Sequence, residues 1–189
     1  MIHRAQFPPS VMAKLERAHA ELHGSGLAAV DQGLREWLIC CAHGDGRQLG
    51  MPSRAVDWAW HELILHTPAY HALCREAFGT YLHHTPESDL RLSMRAALHE
   101  TVRAWDRSEA GRAGREPSLW ELDERLGIVD PIGVAAAARR SARADASPRR
   151  RGSDGRRGAV DHHAWLPLSG IHGGGDGGGC GGGGCGGGG

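Results

Sequence analysis

A chain of 189 residues with 29 glycines suits one domain and an appendage. The formal charge is zero, but residues 1–130 hold 14 Lys and Arg against 18 Asp and Glu, and the remainder eight against four. The acidic body excludes an extended nucleic-acid footprint, and the basic tail leaves room for a weak one.

Five cysteines, at 40, 41, 74, 180 and 185, are odd in number and too sparse for a disulfide framework. The N-terminus is charged and has no apolar signal core, and no run of about 18 uncharged apolar residues is present to span a bilayer. These features predict a cytoplasmic protein.

Pro8-Pro9 before Ser10, read as the N-cap, opens a helix whose Val11, Leu15, Ala18 and Leu22 recur at helical spacing up to Gly24. A second helix carries Leu27, Val30, Leu34, Trp37, Leu38 and Cys41 on one stripe. Cys40 and Cys41 read as small buried hydrophobes. Residues 44–52 are loop, and GDGRQLG lacks the context of a phosphate loop. Ser53 caps a third helix with Val56, Trp60, Leu63 and Ile64 facing the core. Trp58 lies about 200° around that helix from Trp60, so the two indoles cannot share one core.

Thr67-Pro68 restarts the chain as a fourth helix with Tyr70, Leu73, Cys74 and Ala77, stopping at Gly79. An extended TYLHHTP follows. Glu87 to Trp105 is predicted helical, 106–116 a polar linker, and Pro117-Ser118 the start of a last helix closed by Gly127. No strand-like alternation occurs. The expected fold is all-α, a bundle of about five to six helices over residues 1–130. Residues 131–172 are expected to be a disordered Arg, Ala and Gly linker holding a short apolar island, HHAWLPLSGI, and 173–189 a Gly-rich tail. The arginines at 139–140, 149–151 and 156–157 suit weak, salt-sensitive contact with nucleic-acid phosphates, or a solvated linker.

Chemistry concentrates in residues 56–86. Asp57 and His61 are four apart and share a helix face, as do Tyr70 and Cys74 on the next helix. The turn at His66 is expected to bring these faces together, and His84 to close the cluster. One reading is a polar pocket of Asp57, His61, Cys74 and His84 binding a divalent metal such as zinc. Another is a buried Asp57–His61 hydrogen bond that fixes helix packing, and a third is a non-metal ligand site. His61-Glu62 is not followed by a second His at zincin spacing.

In this segment the chain resembles the glycine-rich domain-containing protein-like family. The pattern is Asp57, Trp60-His61, Leu65, Tyr70, Cys74, Phe78-Gly79, and His84 before Pro86. The resemblance implies that these polar residues act as a set, and implies no catalytic activity. The overall expectation is a non-enzymatic module for a protein or small-molecule partner, against a metal-dependent hydrolase using His61 and His84, or nucleic-acid binding through the tail.

Overall fold

The computed structural model describes residues 2–146. Among these residues the chain forms α-helices and short 3-10 turns and no strand, the expected all-α class. The helices are α1 (Pro9–Ala18), α2 (Ser25–Ala42), α3 (Arg54–Leu65), α4 (Thr67–Phe78), α5 (Met94–Arg107), α6 (Glu109–Arg112), α7 (Leu122–Leu126) and α8 (Ala136–Ala146). That is more than five or six, because two polar stretches also fold.

Helix α2 is the hub, packing on α1, α3, α5, α7 and the 3-10 turn Ser118–Glu121. Its Val30, Leu34, Trp37 and Leu38 are buried. At Gly33 a Cβ would come within 2.8 Å of both Leu122 and Val56, so bare backbone lets α3 and α7 meet against α2. The buried Glu36 carboxylate accepts from Leu119 N at 2.9 Å and Ser118 Oγ at 3.0 Å, fastening the 3-10 turn to the hub.

Several boundaries differ from the expected ones. Pro8, not Ser10, sits at the N-cap of α1, and the Ser10 hydroxyl lies 3.3 Å from His66 Nε2. Helix α1 stops at Ala18, where His19 turns extended, and Ala20–Leu22 is a separate 3-10 turn. Helix α5 starts at Met94 rather than Glu87. Ser93 Oγ caps it by accepting from Ala96 N at 3.3 Å, while Arg91 N donates to Gln48 Oε1 at 2.8 Å and pulls residues 90–93 out of helix. The supposed linker 106–116 extends α5 to Arg107 and then forms α6, capped by Ser108 on Gly111 N. Ser53 caps α3 as expected, through Val56 N at 3.2 Å, and α4 ends at Gly79, whose φ of +70° is left-handed.

The linker expected from residue 131 begins as part of the body. Val134 and Ala142 are buried, and α8 lies on α5. The Arg143 guanidinium forks onto Asp106, with two N–H bonds of 3.0 Å, and pairs with Glu116 at 2.8 Å. Arg139 pairs with Glu121 at 3.2 Å. A segment too polar to fold alone thus folds by giving its arginines to carboxylates of the body. Arg139 is accordingly committed to protein rather than free for nucleic acid. The expectations for the rest of the linker, the island at 162–171 and the tail with Cys180 and Cys185 lie outside the described residues. No helix among the described residues is long and apolar enough to cross a membrane.

Candidate functional site

One turn of α3 separates Asp57 from His61. His61 Nδ1 lies 2.8 Å from the Asp57 carbonyl oxygen and 3.3 Å from the carboxylate Oδ2. A carbonyl only accepts, so Nδ1 carries the hydrogen and the neutral ring presents its lone pair at Nε2. The extended segment after Gly79 returns His84 over the same face. His84 Nε2 is 3.7 Å from Asp57 Oδ1, too long for a hydrogen bond, and its ring centroid is 4.3 Å from that of His61 and 5.0 Å from Trp60. One donor atom from each of Asp57, His61 and His84 lies within 4.8 Å of the other two.

The expectation of a buried, structural Asp57–His61 hydrogen bond does not hold. The His61 side chain is 50% exposed and that of Asp57 33%. The residues upstream of His61 on α3 that reach the core are Ala55, Val56, Ala59 and Trp60, which leaves the Asp57 face at the rim.

Burial holds the His84 imidazole below its usual value, and the neighbouring His61 lowers it further; Asp57 offsets this only in part. The folded chain therefore takes up this proton later than the unfolded chain as pH falls. Stability is unaffected by His84 above the unfolded value near 6.5 and declines as pH falls below it, until the folded ring also protonates. Denaturation in chelator at pH 7.5 and 5.5 is expected to show that decline, and His84→Gln to reduce it. An undiminished decline in the variant would assign the effect to other groups.

The turn at His66 brings Tyr70 against Trp60, not against Asp57 and His61. Tyr70 is fully buried; its hydroxyl donates to the Leu82 carbonyl at 2.7 Å and accepts from Trp60 Nε1 at 3.1 Å. Cys74 is buried beside it, and burial pushes its thiol up, away from the thiolate a metal needs. Tyr70 and Cys74 thus stand one layer behind the cluster, where they hold the segment that carries His84. Tyr70→Phe orphans the Trp60 N–H and the Leu82 carbonyl and is expected to cost about 1–3 kcal/mol in chemical denaturation. Faster amide exchange across residues 81–86 should accompany it; wild-type stability and exchange would refute the role.

A cavity of about 380 Å³, inside the range of small-ligand pockets, opens beside the cluster. Trp37, Trp58 and Trp60 contribute to its wall, and Asp57 and His84 reach it. His61 instead lines a smaller hollow of about 140 Å³ between α1 and α3, with Trp58 common to both. Trp58 is only partly buried, at the edge of the core. It stacks on His19 at 3.7 Å with a 5° interplanar angle, which fixes its orientation.

Four further residues of this region escaped the sequence reading. His19, Gln48, Arg54 and Arg91 come to the pocket or its Trp58 wall from segments far apart in the chain, and only the unaccounted Trp58 hinted at such a wall. Asp123 escaped as well. It is fully buried and accepts from Ser53 Oγ at 2.6 Å, Arg54 N at 2.8 Å, Ala55 N at 3.3 Å and Ile132 N at 3.1 Å. A carboxylate at the N-terminus of α3 also meets the positive end of the helix dipole, and it fixes the start of the helix that carries Asp57 and His61.

These features define an all-helical protein with a His–Asp cluster beside an indole-walled cavity. The chain belongs to the UCP032817-like family, whose model matches residues 1–154. That match includes α8, in keeping with its packing on the body. No curated protein and no solved structure matches the chain.

Proposed function

We propose that this protein binds a small molecule in the α3 cavity beside a divalent transition-metal ion held by Asp57, His61 and His84. The observation that carries the reading is the convergence of three donors from two segments, one of them a histidine whose Nδ1 lies against a backbone carbonyl. His61 donates Nδ1–H to a carbonyl and keeps Nε2 free, the arrangement that orients metal-bound histidines. In a tetrahedral zinc site, bonds of about 2.0–2.1 Å put donors about 3.4 Å apart. The donor atoms need to close by at most about 1.4 Å from their present separation, and all three side chains are partly exposed.

Two imidazoles and a carboxylate suit zinc, iron, cobalt or manganese. Three protein ligands leave coordination positions open, and Asp57 and His84 border the cavity, so a molecule in it can reach the ion. The same openness favours a second reading, a metal-dependent hydrolase in which the ion activates water. The likeness of residues 57–86 to the glycine-rich domain-containing protein-like family agrees with treating Asp57, His61, Cys74 and His84 as a set.

The test is elemental mass spectrometry on the full chain, purified without chelator and again after loading with zinc, iron(II) or manganese, with melts in the presence and absence of EDTA. About one equivalent of metal and an EDTA-sensitive melt are expected. Trace metal after every loading would overturn the metal centre. Metal-dependent turnover of aryl ester or phosphoester substrates would move the hydrolase reading ahead of simple binding.

A further inference from the structure

The cavity carries information about its occupant beyond the metal site. Its charged side chains are Arg54 and Arg91 on one account and Asp57 and Asp89 on the other. Alone these cancel. A divalent ion at Asp57 would leave the cavity with an excess of two positive charges, so its natural occupant is an anion.

The Arg54 side chain is held in place, and Arg91 is fixed at its backbone. The Arg54 backbone N–H is taken by buried Asp123, and its side-chain Nε donates to the Asp130 carbonyl at 2.6 Å. Neither of its Nη groups has a hydrogen-bond acceptor among the described residues. Arg91 is fixed at its backbone by Gln48 Oε1, which leaves the Gln48 amide hydrogens and the whole Arg91 guanidinium uncommitted there. Among the side chains the structure describes, which do not include that of Glu87, neither arginine lies within ion-pair distance of a carboxylate, whereas Arg35, Arg103, Arg107, Arg139 and Arg143 do. Planar, multi-donor guanidinium groups match the two or three oxygens of a carboxylate or phosphate.

The apolar wall combines three tryptophans with aliphatic side chains such as Leu49, Met51 and Leu82, and the indoles are held in place. Trp37 and Trp60 meet edge to face at 5.4 Å, Trp60 is tied through its N–H to Tyr70, and Trp58 is stacked on His19. Such a wall accepts a flat apolar body by area burial and ring contact.

We infer that the cavity is built for a small organic anion, an aromatic or similarly flat acid. Its oxyanion is held by Arg54, Arg91 and the open positions of the metal ion, and its apolar body lies against the tryptophans. The metal contact rests on the proposed metal centre; the arginine and tryptophan contacts do not.

The test uses the full chain, metal-loaded and metal-free, titrated with 1-naphthoate, 1-naphthyl phosphate and the uncharged 1-naphthylmethanol. Binding is read by calorimetry and by tryptophan fluorescence. Saturable binding of an acid is expected, with little or none of the alcohol. Arg54→Gln and Arg91→Gln should each weaken it about tenfold, the loss typical of one charge-assisted hydrogen-bonding group, with melts matching wild type. The two acids decide between a carboxylate and a phosphate head. Acid binding that depends on the arginines in a chain that never takes up metal would retain the anion site and reject the metal centre. Metal uptake with no binding of either acid at millimolar concentration would reject the anion site and leave the metal centre standing. Equal binding of acid and alcohol, or acid binding indifferent to both arginine variants, would likewise overturn the inference.

Discussion

Asp123→Ala is expected to lower the stability of the protein by about 3–5 kcal/mol, a fall in melting temperature of roughly 10–15 °C. The carboxylate is fully buried and accepts four hydrogen bonds, from the Ser53 hydroxyl and the backbone N–H groups of Arg54, Ala55 and Ile132. Alanine leaves those donors without an acceptor in a place closed to water, and the cost of orphaned buried donors exceeds the modest net worth of the bonds themselves. It also removes negative charge from the N-terminus of α3. Three elements separate at once: α7, which carries Asp123, the start of α3, and the segment at Ile132 that leads to α8. Asp123→Asn keeps an acceptor and the shape, and should lose about half as much. Denaturant titration with unchanged m-value checks the effect; a loss under about 1 kcal/mol for the alanine variant would show that the carboxylate is not the tie described here.

Metal affinity is expected to fall at least about a hundredfold in His84→Ala and in Asp57→Ala, since outer-shell partners of metal ligands already account for 10–100-fold. Without metal the same variants should stay within about 1 kcal/mol of wild type, because the pairs they break are partly exposed and weak. With free metal a hundredfold above its dissociation constant, wild type should gain about 2.7 kcal/mol and melt several degrees higher, and the variants should gain no more than about 0.4 kcal/mol. Cys74→Ala is the control. Its thiol sits behind the cluster with Tyr70, so it is expected to cost stability and leave metal affinity unchanged. Loss of metal in Cys74→Ala with retention in Asp57→Ala would replace the proposed ligand set by another.

The sequence alone determined the features that follow from local periodicity and local turn chemistry. Apolar stripes on α2 and α3, the Ser53 cap, the Pro68 restart and the Gly79 stop are all matters of residues within a few positions of one another. The one-turn spacing of Asp57 and His61 is of the same kind, and so is the misfit of Trp58. Tertiary structure alone decided what depends on partners distant in the chain. Helix α5 begins at Met94 because Gln48, 43 residues upstream of Arg91, takes that residue's N–H. Helix α8 folds because Asp106 and Glu116 are waiting for Arg143, which no reading of an Arg- and Ala-rich segment in isolation could supply. Tyr70 and Cys74 share a face with each other as the spacing required, yet that face meets Trp60 and Leu82, because the core claims their bulk and leaves the half-exposed Asp57 and His61 at the rim. Burial and long-range hydrogen bonding are sums over the whole fold, and they separated the three residues that converge from the two that hold them in place.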